Sequence, residues 1–279
     1  MSYENFSQAF DFTGQSVFIT GGGGVLCAEM ARALYACGAF LTIADYNLAA
    51  AQKVVDELLS KPGAGRAIAV HANVLEAESM QAAVEAALTT FGKIDCLING
   101  AGGNRPAATT SPEKLFFDLP QDAIRSVFDL NLLGTIVPSQ LIARHMAERK
   151  QGVILNISSM NSFRPLTLIP AYSAAKAGVS NFTQWLAVHL AQEYSPNIRV
   201  NALAPGFFVT EQNRFLMTDA ETGKPTRRGQ KVLDHTPMAR YGSPEDLIGA
   251  TLWLLSPASA FVTGIVIPID GGFSAYSGV

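Results

Sequence analysis

Short apolar runs alternate with longer stretches of helical periodicity along the chain, and that alternation predicts its architecture. Ser16 to Thr20 (SVFIT), Phe40 to Asp45 (FLTIAD), Ala67 to Val70, Ile94 to Asn99, Gly152 to Ser158 (GVILNIS), Ile198 to Ala204 and Ile265 to Ile269 read as strands. Helical patterns lie between them at Val25 to Gly38, Leu48 to Leu59, Ser79 to Phe91, Gln121 to Arg149, Ala171 to Tyr194 and Pro244 to Leu255. Gly38 and Gly92 stand where C-terminal caps are expected, and Lys61-Pro62-Gly63 breaks the second helix. Strands that are apolar throughout are buried on both faces, as a parallel sheet requires. The expected fold is α/β and doubly wound. It has a seven-stranded, mostly parallel sheet, helices on both faces and a single domain over 1–279. Phe207 to Gly242 shows no strand pattern and carries Gly223, Pro225 and a cluster of charges. An irregular stretch of that length predicts a lid over a site, with a surface insertion as the plainer reading.

Charge and composition narrow the function. The 279 residues include 20 basic and 23 acidic side chains, a net charge of -3, so neither a nucleic-acid nor a membrane partner is expected. At 48% hydrophobic and 15% charged, the chain can bury a substantial core. Cys27, Cys37 and Cys96 have no spacing that suggests a metal site or a disulfide framework. Reduced thiols in a cytoplasmic protein are expected. Met1 to Phe12 lacks a basic segment followed by an apolar core, so no secretory signal is expected. No run reaches about 18 consecutive apolar residues, and no membrane span is expected.

A strand, four glycines and a helix follow one another from Ser16 to Leu34. Glycines let the backbone turn tightly and admit a pyrophosphate to the helix N-terminus, where free N–H groups and the dipole favour an anion. The spacing is Gly21-x-x-Gly24-x-x-Cys27, with cysteine where a third glycine normally lets helix and strand pack closely. Alone, the turn could be a loop without a ligand. Asp45, at the end of the second strand, adds to it. A carboxylate there accepts the ribose hydroxyls of NAD and repels the 2′-phosphate of NADP, and no arginine follows, only Tyr46 and Asn47. The plainer reading makes Asp45 the cap of the next helix. A Rossmann fold with NAD as cofactor is expected.

Tyr172 and Lys176 are four residues apart in a helical segment and share a face. Ser159 follows the fifth strand. Carbonyl reduction needs a proton donor at oxygen while hydride reaches carbon. A phenol, with a pKa near 10, is a reluctant donor, and a nearby ammonium is expected to lower it. Ser159 can hydrogen-bond and orient the reacting oxygen. Read alone, Tyr-x-x-x-Lys is as consistent with a chance surface pair. With the serine, the glycine turn and Asp45 it becomes a constellation.

On these residues the chain resembles the short-chain dehydrogenase/reductase family across nearly its whole length. The matching segments are Thr20-Gly21 and its glycines, Asn99-Gly100-Ala101-Gly102, Asn131, Ser159 with Tyr172-x-x-x-Lys176, Pro205-Gly206 with Thr210, and Asp270-Gly271-Gly272. The resemblance makes Asn131, Ser159, Tyr172 and Lys176 the catalytic set, with Asn131 in a water-mediated proton relay ending at Lys176. The plainer reading of Asn131 is a satisfied polar group bridging a helix irregularity. The resemblance also places Gly21, Gly24, Val25, Leu26, Asp45, Asn99, Ala101, Gly102, Pro205 and Gly206 around the cofactor, with Tyr172 and Lys176. Asn73 and Val74 would bracket the adenine, and Phe208 and Thr210 would meet the nicotinamide carboxamide. The chain departs from the family at Val25, where many members have glycine, at Gly100, where Asn or His is frequent, and at Asn73, where Asp is commoner.

Arginines gather after the strand ends: Arg105, Arg164 and Arg214, with Arg227, Arg228 and Arg240 in or near the expected lid. In an acidic protein this suggests an anionic substrate, since the guanidinium fork suits a carboxylate. Asn104, Asn161, Gln212 and Asn213 suit sugar hydroxyls, although each residue taken singly reads as a solvated surface group. Arg164 with Arg105 is the expected carboxylate grip, and Ser159, Asn161, Tyr172 and Arg214 complete the expected substrate set. The segments Thr20 to Leu26, Ser159 to Tyr172 and Phe207 to Arg214 look closer to the D-mannonate oxidoreductase (fructuronate reductase) branch of the family. That resemblance implies carbohydrate metabolism, a homotetramer, and reduction of D-fructuronate to D-mannonate. Gluconate 5-dehydrogenase or another polyol dehydrogenase is the nearest alternative. A non-catalytic module that senses NADH or scaffolds partners would not need Ser159, Tyr172 and Lys176 together.

Overall fold

The structure, a computed structural model, describes residues 8–63, 65–209 and 214–278. Its strands are β1 (Ser16–Thr20), β2 (Phe40–Asp45), β3 (Arg66–His71), β4 (Cys96–Asn99), β5 (Gly152–Ile157), β6 (Ile198–Pro205) and β7 (Val266–Ile269). They form one sheet in the order β3-β2-β1-β4-β5-β6-β7, and each adjacent pair is parallel. The order reverses between β1 and β4, which opens a crevice beyond the C-terminal ends of the strands.

Helices cover both faces because successive strand residues point to opposite sides. Val17 and Ile19 of β1 pack with α1 (Val25–Ala36), α2 (Leu48–Leu59) and α9 (Ile248–Leu255). Phe18 between them joins the opposite core with α3 (Ala77–Phe91), α5 (Gly134–Arg149) and α6 (Pro170–Glu193). Apolar strand runs therefore feed two cores at once. Gly38, in the left-handed region at φ 89°, ends α1 just past its Cys37 cap, and Gly92 at φ 77° caps α3.

The long helix expected over Gln121 to Arg149 is interrupted. It comprises α4 (Gln121–Phe128), a wide π-helical turn at Asp129–Leu133 and then α5. The wide turn frees a main-chain carbonyl, and the Asn131 side chain takes it up, donating from Nδ2 to Val127 O at 2.8 Å. By length and composition this 29-residue stretch is apolar enough to cross a membrane, with a mean hydropathy of 1.2 over its best window. Here α5 packs on β4 and β5 and against α3, which consumes its apolar face.

Phe207 to Gly242, expected to be irregular, contains α7 (Arg214–Met217) and α8 (Arg227–Asp234). Its two stems meet: Val209 N–H donates to Gly242 O and Gly242 N–H to Phe207 O, at 3.1 and 2.9 Å. The excursion therefore leaves and rejoins the domain at one place. Thr226 caps α8 by accepting from Gly229 N–H, and Tyr241 Oη donates to Met217 O. Pro244–Leu247, expected to open the last helix, is a 3₁₀ turn leading into α9.

Candidate active site

The first half of the site is built by β1, β2 and the glycines. Gly21 lies in the left-handed region at φ 62°, and a Cβ there would sit 2.8 Å from the Ala101 main chain, so only glycine fits. Gly24 begins α1 with no side-chain cap, and the first turn holds no acid, so its free N–H groups face an open crevice. Val25 is exposed at this first turn, Leu26 half-buried behind it. Asp45 sits opposite. Its Oδ2 accepts from Gly23 N–H at 3.0 Å and its Oδ1 from Asn47 N–H at 2.8 Å. The cap of α2 is Asn47, which accepts from Ala50 N–H, so Asp45 is not spent as a cap. It fastens the glycine turn to the end of β2 and stays partly exposed. An uncapped helix start, a turn too tight for side chains and a carboxylate without a salt-bridge partner among the described residues, at the end of the adjacent strand, fit a dinucleotide.

Other residues expected at this half are placed as follows. Asn73 forms the turn into α3, donating to Glu76 and accepting from Leu75 N–H, and Val74 is buried beside it, next to the β2–β3 edge. Asn99 turns its side chain into the protein, donating to Ser139 Oγ at 2.9 Å and Asn156 Oδ1 at 2.8 Å, so only its main chain is available to the crevice. Ala101 and Gly102 line the turn after β4, and Ala101 N–H and Gly100 N–H both reach Thr20 Oγ1. Pro205 and Gly206 close β6 against Asp270. The Phe208 ring is buried in the core, leaving its main chain to the crevice, and Thr210 lies outside the described residues.

The second half is carried by β5, α6 and the wide turn. Ser159, just beyond β5, is buried, and its hydroxyl acts on the Tyr172 phenol, pulling its proton affinity down. Its Oγ also accepts from Asn161 N–H. Lys176, one helical turn after Tyr172, is 3% exposed, with Nζ donating to Ile157 O at 2.7 Å and lying 5.7 Å from the Tyr172 ring centre. Asn131 and Lys176 converge on Gly102, where a Cβ would stand 2.8 Å from Asn131 Oδ1 and 3.1 Å from Lys176 Nζ. The Asn131 amide is fully committed: Nδ2 donates to Gly103 O and Val127 O, and Oδ1 accepts from Gly103 N–H. Its side chain therefore bridges the helix irregularity, the plainer of the two readings, and any relay would have to use its main chain.

The electrostatics differ from expectation. Burial lowers Lys176 to about 8. Burial also pushes the Tyr172 phenol above its ordinary value, against the pull of the Ser159 hydrogen bond. The ammonium was expected to depress the phenol. Desolvation instead penalises both charged forms, and the proton rests on Tyr172 near neutrality.

A buried polar ladder behind the site was not anticipated. Thr183 Oγ1 of α6 accepts from Asn156 Nδ2, Asn156 Oδ1 accepts from Asn99, Asn99 also donates to Ser139, Ser139 donates to Thr135 O, and Thr135 Oγ1 donates to Asn131 O. The signal was present as single polar residues inside apolar runs, such as Asn156 in GVILNIS.

Of the expected substrate residues, Asn161 is buried at 4% with Oδ1 lacking a protein partner. Arg105 and Arg214 are exposed. Arg164 donates from Nε to Ser274 O at 3.2 Å, bracing the C-terminal turn that Asp270 organises.

Residues 15–221 match the short chain dehydrogenase family. The chain belongs to the short-chain dehydrogenase/reductase family. A crystal structure from Haemophilus influenza, of a protein provisionally named a D-mannonate oxidoreductase and holding bound NAD, is 48% identical, with a TM-score of 0.91 over 98% of this chain and 100% of that one. An uncharacterized oxidoreductase of Bacillus subtilis is 44% identical over 96% of this chain and 98% of its own. A gluconate 5-dehydrogenase from Burkholderia cenocepacia, in complex with NADP and tartrate, is 32% identical with a TM-score of 0.83, over 96% and 98%.

Two departures from the family pattern have one cause. Cys27 takes the place of a packing glycine, and its Sγ fills the space that a Cβ at Gly100 would occupy. The lost hydrogen at one position is offset by a lost side chain at the other. Gly100→Ala should lower the melting temperature, and Cys27→Gly in the same chain should recover part of the loss, with a coupling of about 1 kcal/mol or more in a double-mutant cycle. Lys176 supplies a second expectation. Between about 8 and the ordinary lysine value of 10.5, the unfolded chain holds this proton and the folded one does not, so stability from this group rises with pH across that window. Melting curves of the cofactor-free protein should show wild type gaining on Lys176→Met between those pH values, with no such gain below pH 8.

Proposed function

We propose that this protein is an NAD-dependent oxidoreductase acting on the CH–OH or carbonyl group of a sugar acid, with reduction of D-fructuronate to D-mannonate as its reaction. The observation that carries the chemistry is the Ser159–Tyr172–Lys176 set, with Ser159 and Lys176 buried and Tyr172 half-buried, facing the glycine turn across the crevice. NAD, when bound, supplies the hydride for reduction and takes it up in oxidation. Gly21, Gly24 and the start of α1 hold its pyrophosphate, and Asp45 holds the adenosine ribose. A carboxylate there disfavours the extra phosphate of NADP.

The protein supplies the proton. Tyr172, kept protonated by burial, donates to the carbonyl oxygen during reduction and recovers the proton during oxidation. Ser159, just beyond β5, orients the oxygen. Lys176, fixed by Ile157 O, lies where it can restore the Tyr172 proton and steady the phenolate. Asn131 serves that path through the main chain of the wide turn. The α7–α8 excursion acts as the lid over the substrate end, because both its stems hinge at one point beside β6.

The substrate assignment is supported by the Haemophilus relative and by the arginines near the site. The Burkholderia relative favours a second reading, 5-dehydrogenation of gluconate. A homotetramer is proposed from the family resemblance, and α6 exposes Trp185 and Val188, each 57% accessible, on a face suited to pairing subunits.

Oxidation of NADH with a panel of D-fructuronate, 5-ketogluconate and neutral ketoses is the direct test. D-Fructuronate should give the highest kcat/KM, and NADH should be preferred to NADPH. A best substrate that is neutral, or a preference for NADPH, would refute the corresponding half of the assignment. Tyr172→Phe should lose about 10²–10⁴-fold in kcat while still binding NADH.

A further inference from the structure

A groove of about 780 Å³ lies between the segment preceding α6 and α8. One wall is Leu166 to Ile169, the segment that leads directly into α6 and Tyr172. The floor is Phe207 and Phe273, whose rings meet edge to face with centroids 5.2 Å apart. The opposite wall is α8, which presents Arg227, Arg228 and Lys231. Positions 227 and 231 are one turn apart, and 228 and 231 lie on adjoining rows, so the three cations share one face. None of the residues lining the groove is an acid, in a chain whose acids outnumber its bases 23 to 20. Among the described residues none of the three forms a salt bridge. Unpaired cations clustered this closely repel one another, and the repulsion is relieved when an anion sits between them.

The other arginines near the site are engaged or displaced. Arg164 braces the C-terminal turn through Ser274 O, Arg240 makes a two-point pair with Asp246 at 2.6 and 2.8 Å, and Arg105 is not part of the groove lining. The cationic wall suits one charged end of a substrate. We propose that Arg227, Arg228 and Lys231 of α8 bind the substrate carboxylate and set the preference for sugar acids over neutral sugars. The carbonyl end then reaches Tyr172 across Leu168 and Ile169. This deepens the function proposed above and rests on it, because it presumes that the substrate is an acid.

The experiment compares wild type with Arg227→Ala, Arg228→Ala, Lys231→Ala and the triple variant, using D-fructuronate, 5-ketogluconate, a neutral ketose and a ketose phosphate with NADH. Each single variant should raise KM for the acid roughly tenfold with kcat little changed. The ratio of kcat/KM for acid over neutral ketose should fall at least a hundredfold in the triple variant. KM for the acid should rise with ionic strength in wild type and lose that dependence in the triple variant. Arg227→Lys with Arg228→Lys should keep most of the acid preference, which a merely structural role would not predict. Wild type that turns over sugar acids, with variants whose KM is unchanged, would overturn the α8 site and leave the enzyme assignment intact. An equal loss on acid and neutral substrates would overturn it too, since the residues would then only support the fold. Wild type that turns over no sugar acid would overturn both readings, and a wild-type preference for the ketose phosphate would replace the carboxylate with a phosphate.

Discussion

Two asparagines on neighbouring central strands hold the catalytic half of the molecule in place. Asn99 of β4 and Asn156 of β5 stand directly opposite in the register and are both buried. Their amide N–H groups are shut off from water and must find acceptors within the protein. They find each other, and then Ser139 on α5 and Thr183 on α6. A slip of either strand by one residue would send an amide to the wrong face and leave its partners unsatisfied. The ladder thus sets the register of β4 on β5 and the seating of both helices at once. Tyr172 and Lys176 ride on α6, and Asn131 hangs from the ladder through Thr135. The reacting groups are positioned from behind, by bonds that take no part in the chemistry.

The same dry interior sets the proton affinities. Lys176 is nearly inaccessible and Tyr172 is half-buried beside it, so each resists its charged form. An ammonium close to a phenol normally makes the phenol more acidic, and Lys176, lowered to about 8, still carries its charge near neutrality. The cost of desolvating the phenolate is the larger effect. The ring-centre separation of 5.7 Å and the Ile157 carbonyl on Nζ direct the charge as much toward the main chain as toward the phenol. Tyr172 is consequently a proton donor at rest, which suits carbonyl reduction.

The sheet and its covering helices were readable in the chain because a doubly covered parallel sheet leaves a simple trace: apolar strands and amphipathic helices in strict alternation. The glycine turn, Asp45 and the Ser159–Tyr172–Lys176 spacing were readable because each answers a local geometric demand. The π-helical turn at Asp129–Leu133 was not, since apolar periodicity continues through it and only the polarity of Asn131 marks the place. The helices α7 and α8 were missed because α7 is only four residues long and α8 is mostly polar, with Val232 its main apolar anchor, so no periodic stripe announces them. Arg164 was placed in the right loop, but its direction toward Ser274 depends on the C-terminal turn, which folds over from the far end of the chain. The fall of the phenol's proton affinity was expected from a neighbouring charge. Its rise follows from enclosure, which residue spacing does not report.

Cofactor and substrate recognition are built on different principles here. The cofactor end depends on main-chain shape, with tight turns and a bare helix start fastened to the strands. Side chains can therefore change there only in compensating pairs, as Cys27 and Gly100 do. The substrate end depends on side chains carried by an excursion that contributes no strand to the sheet and meets the domain at its stems and at the C-terminal turn, where Met238 N–H donates to Gly271 O. Substitution on α8 leaves the strand register, the glycine turn and the polar ladder untouched. Substrate charge preference can thus vary on that helix without disturbing dinucleotide binding, which is how a shared fold can serve relatives with different substrates.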